Sequence, residues 1–154
     1  MADTPHIMIV DSRYHTEITD QLITGAMAVV EKANATYERF SVPGAFELPA
    51  AIRFAIRSMD FNSVRNRFDG YVALGCVIRG ETTHYDHVCT EVSRALQQLA
   101  VDYTLALGFG LLTCENRDQA MERADPARQD KGGHAVTACL AQIELKRAFR
   151  LYPR

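Results

Sequence analysis

Between residues 76 and 86 the chain reads CVIRGETTHYD, and this segment gathers groups suited to handling an anion. Gly80 allows close backbone approach, and Thr82 and Thr83 carry hydroxyls. Thr83 and Asp86 have the spacing of a capping box, so a helix starting there would present free N–H groups and the positive end of its dipole. A phosphate suits such a turn. His84 is the side chain of the segment that gives or takes a proton near neutral pH. Each residue taken alone also fits a capped loop with a surface histidine.

Such a turn needs a strand before it and a helix after it. Residues 71–74 form a short apolar run closing at Gly75, the pattern of a strand buried on both faces, and Val88, Val92, Ala95, Leu96 and Leu99 then recur at helical spacing. Apolar runs at 7–10 and 105–112 predict two more strands, and 36–42 alternates like a half-buried one. Ile18, Leu22, Ala26, Val29 and Ala33 mark a helix, as do Leu48, Ile52, Ala55, Ile56 and Met59. Ala120, Met121 and Ala124 suggest a short helix, and Ala135, Val136, Cys139, Leu140, Ile143 and Ala148 a long one. Strand and helix alternate, which predicts an α/β sandwich with a parallel sheet, right-handed crossovers and helices on both faces.

The economical strand order for four strands is 2-1-3-4, which places a topological switch between the first and third. Ligands in such sheets bind outside the strands' carboxyl ends beside that switch. There the sequence has Asp11-Ser12-Arg13-Tyr14, Pro43-Gly44-Ala45-Phe46-Glu47, Cys76 to His84, and Thr113-Cys114-Glu115. A phospho-receiver or flavin-binding module would share this plan, but a receiver needs an acceptor Asp at the end of the third strand, where Gly75 and Cys76 stand.

Composition narrows the classes further. The 154 residues suffice for one domain, 1–154, and 47% hydrophobic with 23% charged residues describes an ordinary globular chain. The net charge of -2 argues against nucleic acid, since the nearest thing to a basic face, Arg57, Arg65 and Arg67, is expected in a solvated loop without interleaved aromatics, and 60–68 is the one linker-like stretch. Cys76, Cys89, Cys114 and Cys139 form no C-x-x-C pair and read as reduced, packed thiols. No signal peptide or membrane-length apolar run is present in the sequence, so a cytoplasmic location away from membranes is expected. Two open sheet edges and a last helix apolar around more than one face predict a homo-oligomer.

Other residues offer chemistry at the strand ends. Glu47, after the Pro-Gly turn, can accept hydrogen bonds from a polyol or a heterocyclic N–H, or simply start a helix. Tyr14 and Phe109 could stack on an aromatic ligand or fill core, and Gly108 and Gly110 around Phe109 suggest close approach by a ligand or another subunit. Arg123 and Lys131 flank the polar loop 125–130 and could meet a phosphate held at Thr82. His84, His87 and Glu91 have helical spacing, but two histidines without a clear third ligand are a weak metal motif, and no metal is expected.

Four longer motifs, VPGAFELP (42–49), GCVIRGETTHYDHV (75–88), FGLLTCEN (109–116) and QAMERA (119–124), together resemble the 6,7-dimethyl-8-ribityllumazine synthase family over nearly the whole chain. The resemblance implies a flavodoxin-like three-layer sandwich. It also implies condensation of 5-amino-6-(D-ribitylamino)uracil with 3,4-dihydroxy-2-butanone 4-phosphate, releasing phosphate and water, with no cofactor. By the same resemblance His84 transfers protons and Arg123 grips the substrate phosphate with Glu81 and Thr82, Lys131 helping nearby. Tyr14 stacks on the pyrimidine, Ala45, Phe46 and Glu47 hold the ribityl side, Cys76, Val77 and Ile78 line the ring, and Phe109 comes from the neighbouring subunit. The site would then lie at an interface. Tyr14 replaces the family's commoner Phe, and loop 125–130 lacks the glycine and lysine of shell-forming members, which favours a homopentamer over a 60-subunit shell or a dimer of pentamers. Association with riboflavin synthase is a further implied partner. The competing expectation is a non-catalytic lumazine- or flavin-binding paralogue, against which His84, Arg123, Glu47 and Phe109 argue.

Overall fold

The computed structural model describes residues 4–62 and 67–151. Strands β1 (His6–Ser12), β2 (Thr36–Val42), β3 (Gly70–Ile78) and β4 (Leu107–Cys114) form one parallel sheet in the order β2-β1-β3-β4. Helices α1 (Thr16–Lys32), α4 (Arg117–Ala124) and α5 (Lys131–Ala148) cover one face, and α2 (Leu48–Ser58) with α3 (His84–Asp102) covers the other. The expected layers, order and switch between β1 and β3 are all present.

The central strands alternate between two cores. Ile7, Ile9, Val72 and Leu74 point toward α1 and α5, whereas Met8, Val10, Tyr71 and Ala73 point toward α2 and α3. Each fully buried aliphatic side chain contributes about 1.5–3 kcal/mol, which is why these runs read as continuously apolar. β2 departs from expectation. It is an edge strand with most residues exposed rather than half-buried, because one of its sides has no neighbouring strand and its faces are thinly covered.

β3 also runs further than its apolar core suggests: Gly75, Cys76, Val77 and Ile78 stay in the ladder, paired with residues 111–114 of β4, so the turn begins only at Arg79. Arg57 lies in the last turn of α2 rather than in a loop, and Arg67 bonds Glu38, while Arg65 falls outside the described residues. Phe68 is core: it is buried and packs against His6 and Tyr71. Among the described residues no helix is long and apolar enough to cross a membrane.

α5 approaches the sheet closely. A Cβ on Gly108 would lie 2.1 Å from the Ala135 carbonyl oxygen, and one on Gly132 would lie 1.9 Å from the Leu22 carbonyl oxygen. The glycines around Phe109 therefore admit a helix, not a ligand. Asp130 starts α5 with a left-handed φ of 48°, and its carboxylate accepts the Gly133 N–H at 3.2 Å. This fixes Lys131 at the first turn, against α1.

Candidate active site

The carboxyl ends of β1 and β3 open into a cavity of about 690 Å³. Its walls come from four segments. The turn after β1 supplies Tyr14 and His15; a 3₁₀ turn at Ala45–Glu47 supplies Ala45, Phe46 and Glu47; the end of β3 supplies Cys76, Val77 and Ile78; and the following turn with α3 supplies Thr82, His84, Tyr85 and His87. Tyr14 and Phe46 expose 77% and 62% of their surface, which is unusual for large rings in a monomer and leaves two faces free for a planar ligand.

Local chemistry explains these placements. Pro43-Gly44 breaks β2 and throws the chain into the 3₁₀ turn, and a Cβ on Gly44 would lie 3.2 Å from Glu47 Oε2, so glycine leaves room for the carboxylate to fold back over the turn. Glu47 is the residue preceding α2, with Pro49 in that helix's first turn. Below the pocket Asp11 is fully buried: Arg39 Nε donates to it at 2.8 Å, Ser41 Oγ at 3.1 Å, and Arg13 Nε makes an ion contact at 3.0 Å off the line of a hydrogen bond. Two guanidiniums thus compensate the buried charge and tie the ends of β1 and β2 beneath Tyr14, helped by the Arg13 N–H to Val42 C=O bond at 2.9 Å.

The start of α3 is built differently from the expected capping box. Thr83 precedes the helix in a right-handed conformation with no side-chain cap; the Thr82 hydroxyl instead accepts the His84 N–H at 3.3 Å. Asp86 is taken by Arg79, whose Nη1 and Nη2 donate to it at 3.1 and 3.0 Å, while Arg79 Nε donates to Glu115 at 2.7 Å. Arg79 also lies 4.4 Å from the Tyr85 ring centroid. The fork–fork pair outcompetes the local cap because a guanidinium satisfies both carboxylate oxygens at once. The turn at Gly80 to Thr83 remains exposed, and His84 stands on the cavity wall with solvent access.

Cys76 lines the pocket as a thiol, since burial pushes it up to about 12. His15 was not singled out from sequence, although its position beside Tyr14 at a strand end was a usable signal. Burial, with Arg117 nearby, holds its imidazole below the usual histidine value. His87 and Glu91 line the cavity with His84, but Arg94 Nη2 donates to Glu91 at 2.8 Å, and no group of three or more His, Cys, Asp or Glu among the described residues is placed to hold a metal.

The family pattern for 6,7-dimethyl-8-ribityllumazine synthase matches residues 4–147. Proteins named 6,7-dimethyl-8-ribityllumazine synthase from Bartonella tribocorum and Agrobacterium fabrum are 47% and 48% identical, covering 97% and 93% of this chain and 95% of each relative. One from Rhizobium meliloti, named 6,7-dimethyl-8-ribityllumazine synthase 1, is 49% identical over 92% of this chain and 91% of its own. This chain belongs to the lumazine synthase family.

Within a single lumazine synthase protomer, however, the residues singled out from sequence do not all meet. Arg123 lies on α4, in the layer with α1 and α5, across the sheet from His84, and its Nη1 donates to the Gln119 carbonyl at 3.0 Å. Lys131 begins α5 in that same layer. Phe109 is 47% exposed on the edge strand β4, and Glu81 sits in the turn outside the cavity lining. Arg123 and Lys131 therefore do not line the cavity of their own chain.

Proposed function

We propose that residues 1–154 act as one lumazine synthase domain that condenses 5-amino-6-(D-ribitylamino)uracil with 3,4-dihydroxy-2-butanone 4-phosphate to 6,7-dimethyl-8-ribityllumazine, with loss of phosphate and water. The observation that carries this reading is the cavity at the β1/β3 switch, which gathers Tyr14, Phe46, Glu47 and His84 in a chain of this family.

The chemistry follows from the residues. The uracil's amine attacks a carbonyl, so a proton must pass from nitrogen to the departing oxygen; elimination of phosphate then requires a proton to leave carbon. His84, solvent-accessible on the wall, serves as the shuttle for these transfers. Tyr14 stacks on the pyrimidine while Cys76, Val77 and Ile78 bound its edge; Ala45, Phe46 and Glu47 receive the ribityl chain. Holding two substrates in attack geometry can supply about 7–11 kcal/mol, the larger share of the acceleration.

The phosphate subsite combines the Glu81–Thr82 turn with Arg123 and Lys131. Because the last two stand apart from the cavity of their own chain, the reading assigns them, with Phe109, to a pocket shared between copies. Exposed Phe54, Phe109 and Phe149 support a homo-oligomer, here read as a pentamer in the cytoplasm that can associate with riboflavin synthase.

Mixing the protein with both substrates and following lumazine absorbance tests the activity; a rate no faster than the spontaneous one would favour the non-catalytic paralogue. Co-assembling the impaired His84→Ala and Arg123→Ala subunits, assayed at low butanone phosphate, tests sharing. Recovered activity supports a site built by two chains, and none overturns it.

A further inference from the structure

His15 has a position that the proposed roles leave unused. It precedes α1 yet makes no side-chain cap; only its carbonyl is engaged, accepting the Thr19 N–H at 3.0 Å. Its ring nitrogens make no hydrogen bond among the described residues, and its ring meets the Tyr14 ring edge-on, with centroids 4.9 Å apart and planes at 77°. Both rings line the cavity.

The packing around it is specific. Tyr14 is exposed and its sole ring contact among the described residues is His15, so the imidazole is the one aromatic group placed to brace the tyrosine. Arg117 lies near enough to disfavour a charge on His15 and is held to Glu17 of α1, which ties α4 to the start of α1. An imidazole kept from ionising by burial and by that guanidinium retains one donor and one acceptor nitrogen. Either nitrogen alone can meet a pyrimidinedione edge, which offers both C=O acceptors and N–H donors.

We propose that His15 is a positioning residue for the heterocyclic substrate, bracing the Tyr14 ring and meeting the polar edge of the pyrimidine with a ring nitrogen. This rests on the reading of the cavity as the heterocycle site. His15 then acts on recognition of the uracil and leaves the butanone phosphate alone.

Three variants of the full assembled chain separate the parts. His15→Phe keeps a ring against Tyr14 without its nitrogens, His15→Gln keeps a neutral hydrogen-bonding group, and His15→Ala removes both. In fluorescence titrations with 6,7-dimethyl-8-ribityllumazine, His15→Phe should weaken binding by about tenfold and His15→Gln should recover most of it, as expected for one buried hydrogen bond. In steady-state assays the KM for the uracil should rise in parallel, with kcat and the KM for the butanone phosphate unchanged.

Binding by His15→Phe within about twofold of the parent would overturn the proposal, as would His15→Gln binding no better than His15→Phe, or both KM values moving together. If His15→Phe does not assemble, His15→Ala against His15→Gln makes the same comparison. A parent protein that neither binds the lumazine nor speeds its formation ends the functional reading and this inference with it; a parent that does both while the variants match it ends this inference alone.

Discussion

Gly108 of β4 and Ala135 of α5 touch through their backbones: a Cβ on the glycine would lie 2.1 Å from the alanine's carbonyl oxygen and 2.8 Å from its carbonyl carbon. This contact sets how tightly α5 lies on the sheet and hence where α4 and α5 carry Arg123 and Lys131.

Gly108→Ala should therefore destabilise the fold by about 1–3 kcal/mol, because backbone cannot yield as a side chain can. Urea or thermal unfolding of the variant measures this, and an unchanged midpoint would show that the helix is free to shift.

His84→Ala should slow turnover by about 10²-fold at most, the low end of what a positioned acid or base supplies, while leaving both KM values near those of the parent. Substrate positioning by Tyr14, Phe46 and Glu47 remains in that variant. Total loss of turnover, measured in stopped-flow absorbance, would mean that proton transfer outweighs positioning.

Arg123→Ala should raise the KM for the butanone phosphate by about 10- to 100-fold through loss of a charge-assisted contact, with little effect on the KM for the uracil. Varying each substrate separately reads this out. Equal changes in both constants would place the guanidinium elsewhere than at the phosphate.

Glu38 of β2 ties β1 and the segment before β3 together by bonding His6 Nε2 at 3.0 Å and the Arg67 guanidinium. Its bonds to Arg67 and then His6 hold its carboxyl down to about 2, against an ordinary 4.5. A depressed carboxylate stabilises the fold fully above pH 4.5 and loses that contribution as pH falls toward 2. Since about a third of the side chain is solvated, the effect should be under about 1 kcal/mol. Glu38→Gln should flatten this part of the acid unfolding curve; an unchanged curve would assign the acid limb to other carboxylates.

Burial raises all four thiols, Cys76 and Cys139 to about 12. The native protein should accordingly react slowly with an aromatic disulfide reagent at pH 8, the half-buried Cys89 first, and release all four thiols only in denaturant. Rapid labelling of Cys76 in the native state would contradict the burial that protects it.

Much of the site was legible in the chain because it is written in local terms. Strand ends announce themselves by apolar runs stopping at Gly or Pro, so Tyr14, Glu47 and His84 could be placed at one end of the sheet before any coordinate was known. The capping role given to Thr83 and Asp86 failed because Arg79, seven residues earlier and anchored by the distant Glu115, takes the Asp86 carboxylate with two donors. The length of β3 was hidden too, since Cys76 to Ile78 stay in the sheet through pairing with β4.

The sequence by itself determined the layered α/β plan, the strand order and the family, because periodicity, alternation and long motifs are properties of neighbouring residues. The tertiary structure alone decided that the glycines beside Phe109 serve α5, and that Arg123 and Lys131 lie across the sheet from His84. Those facts depend on which faces of packed elements meet, and face-to-face contact between distant segments leaves no period in the chain to read.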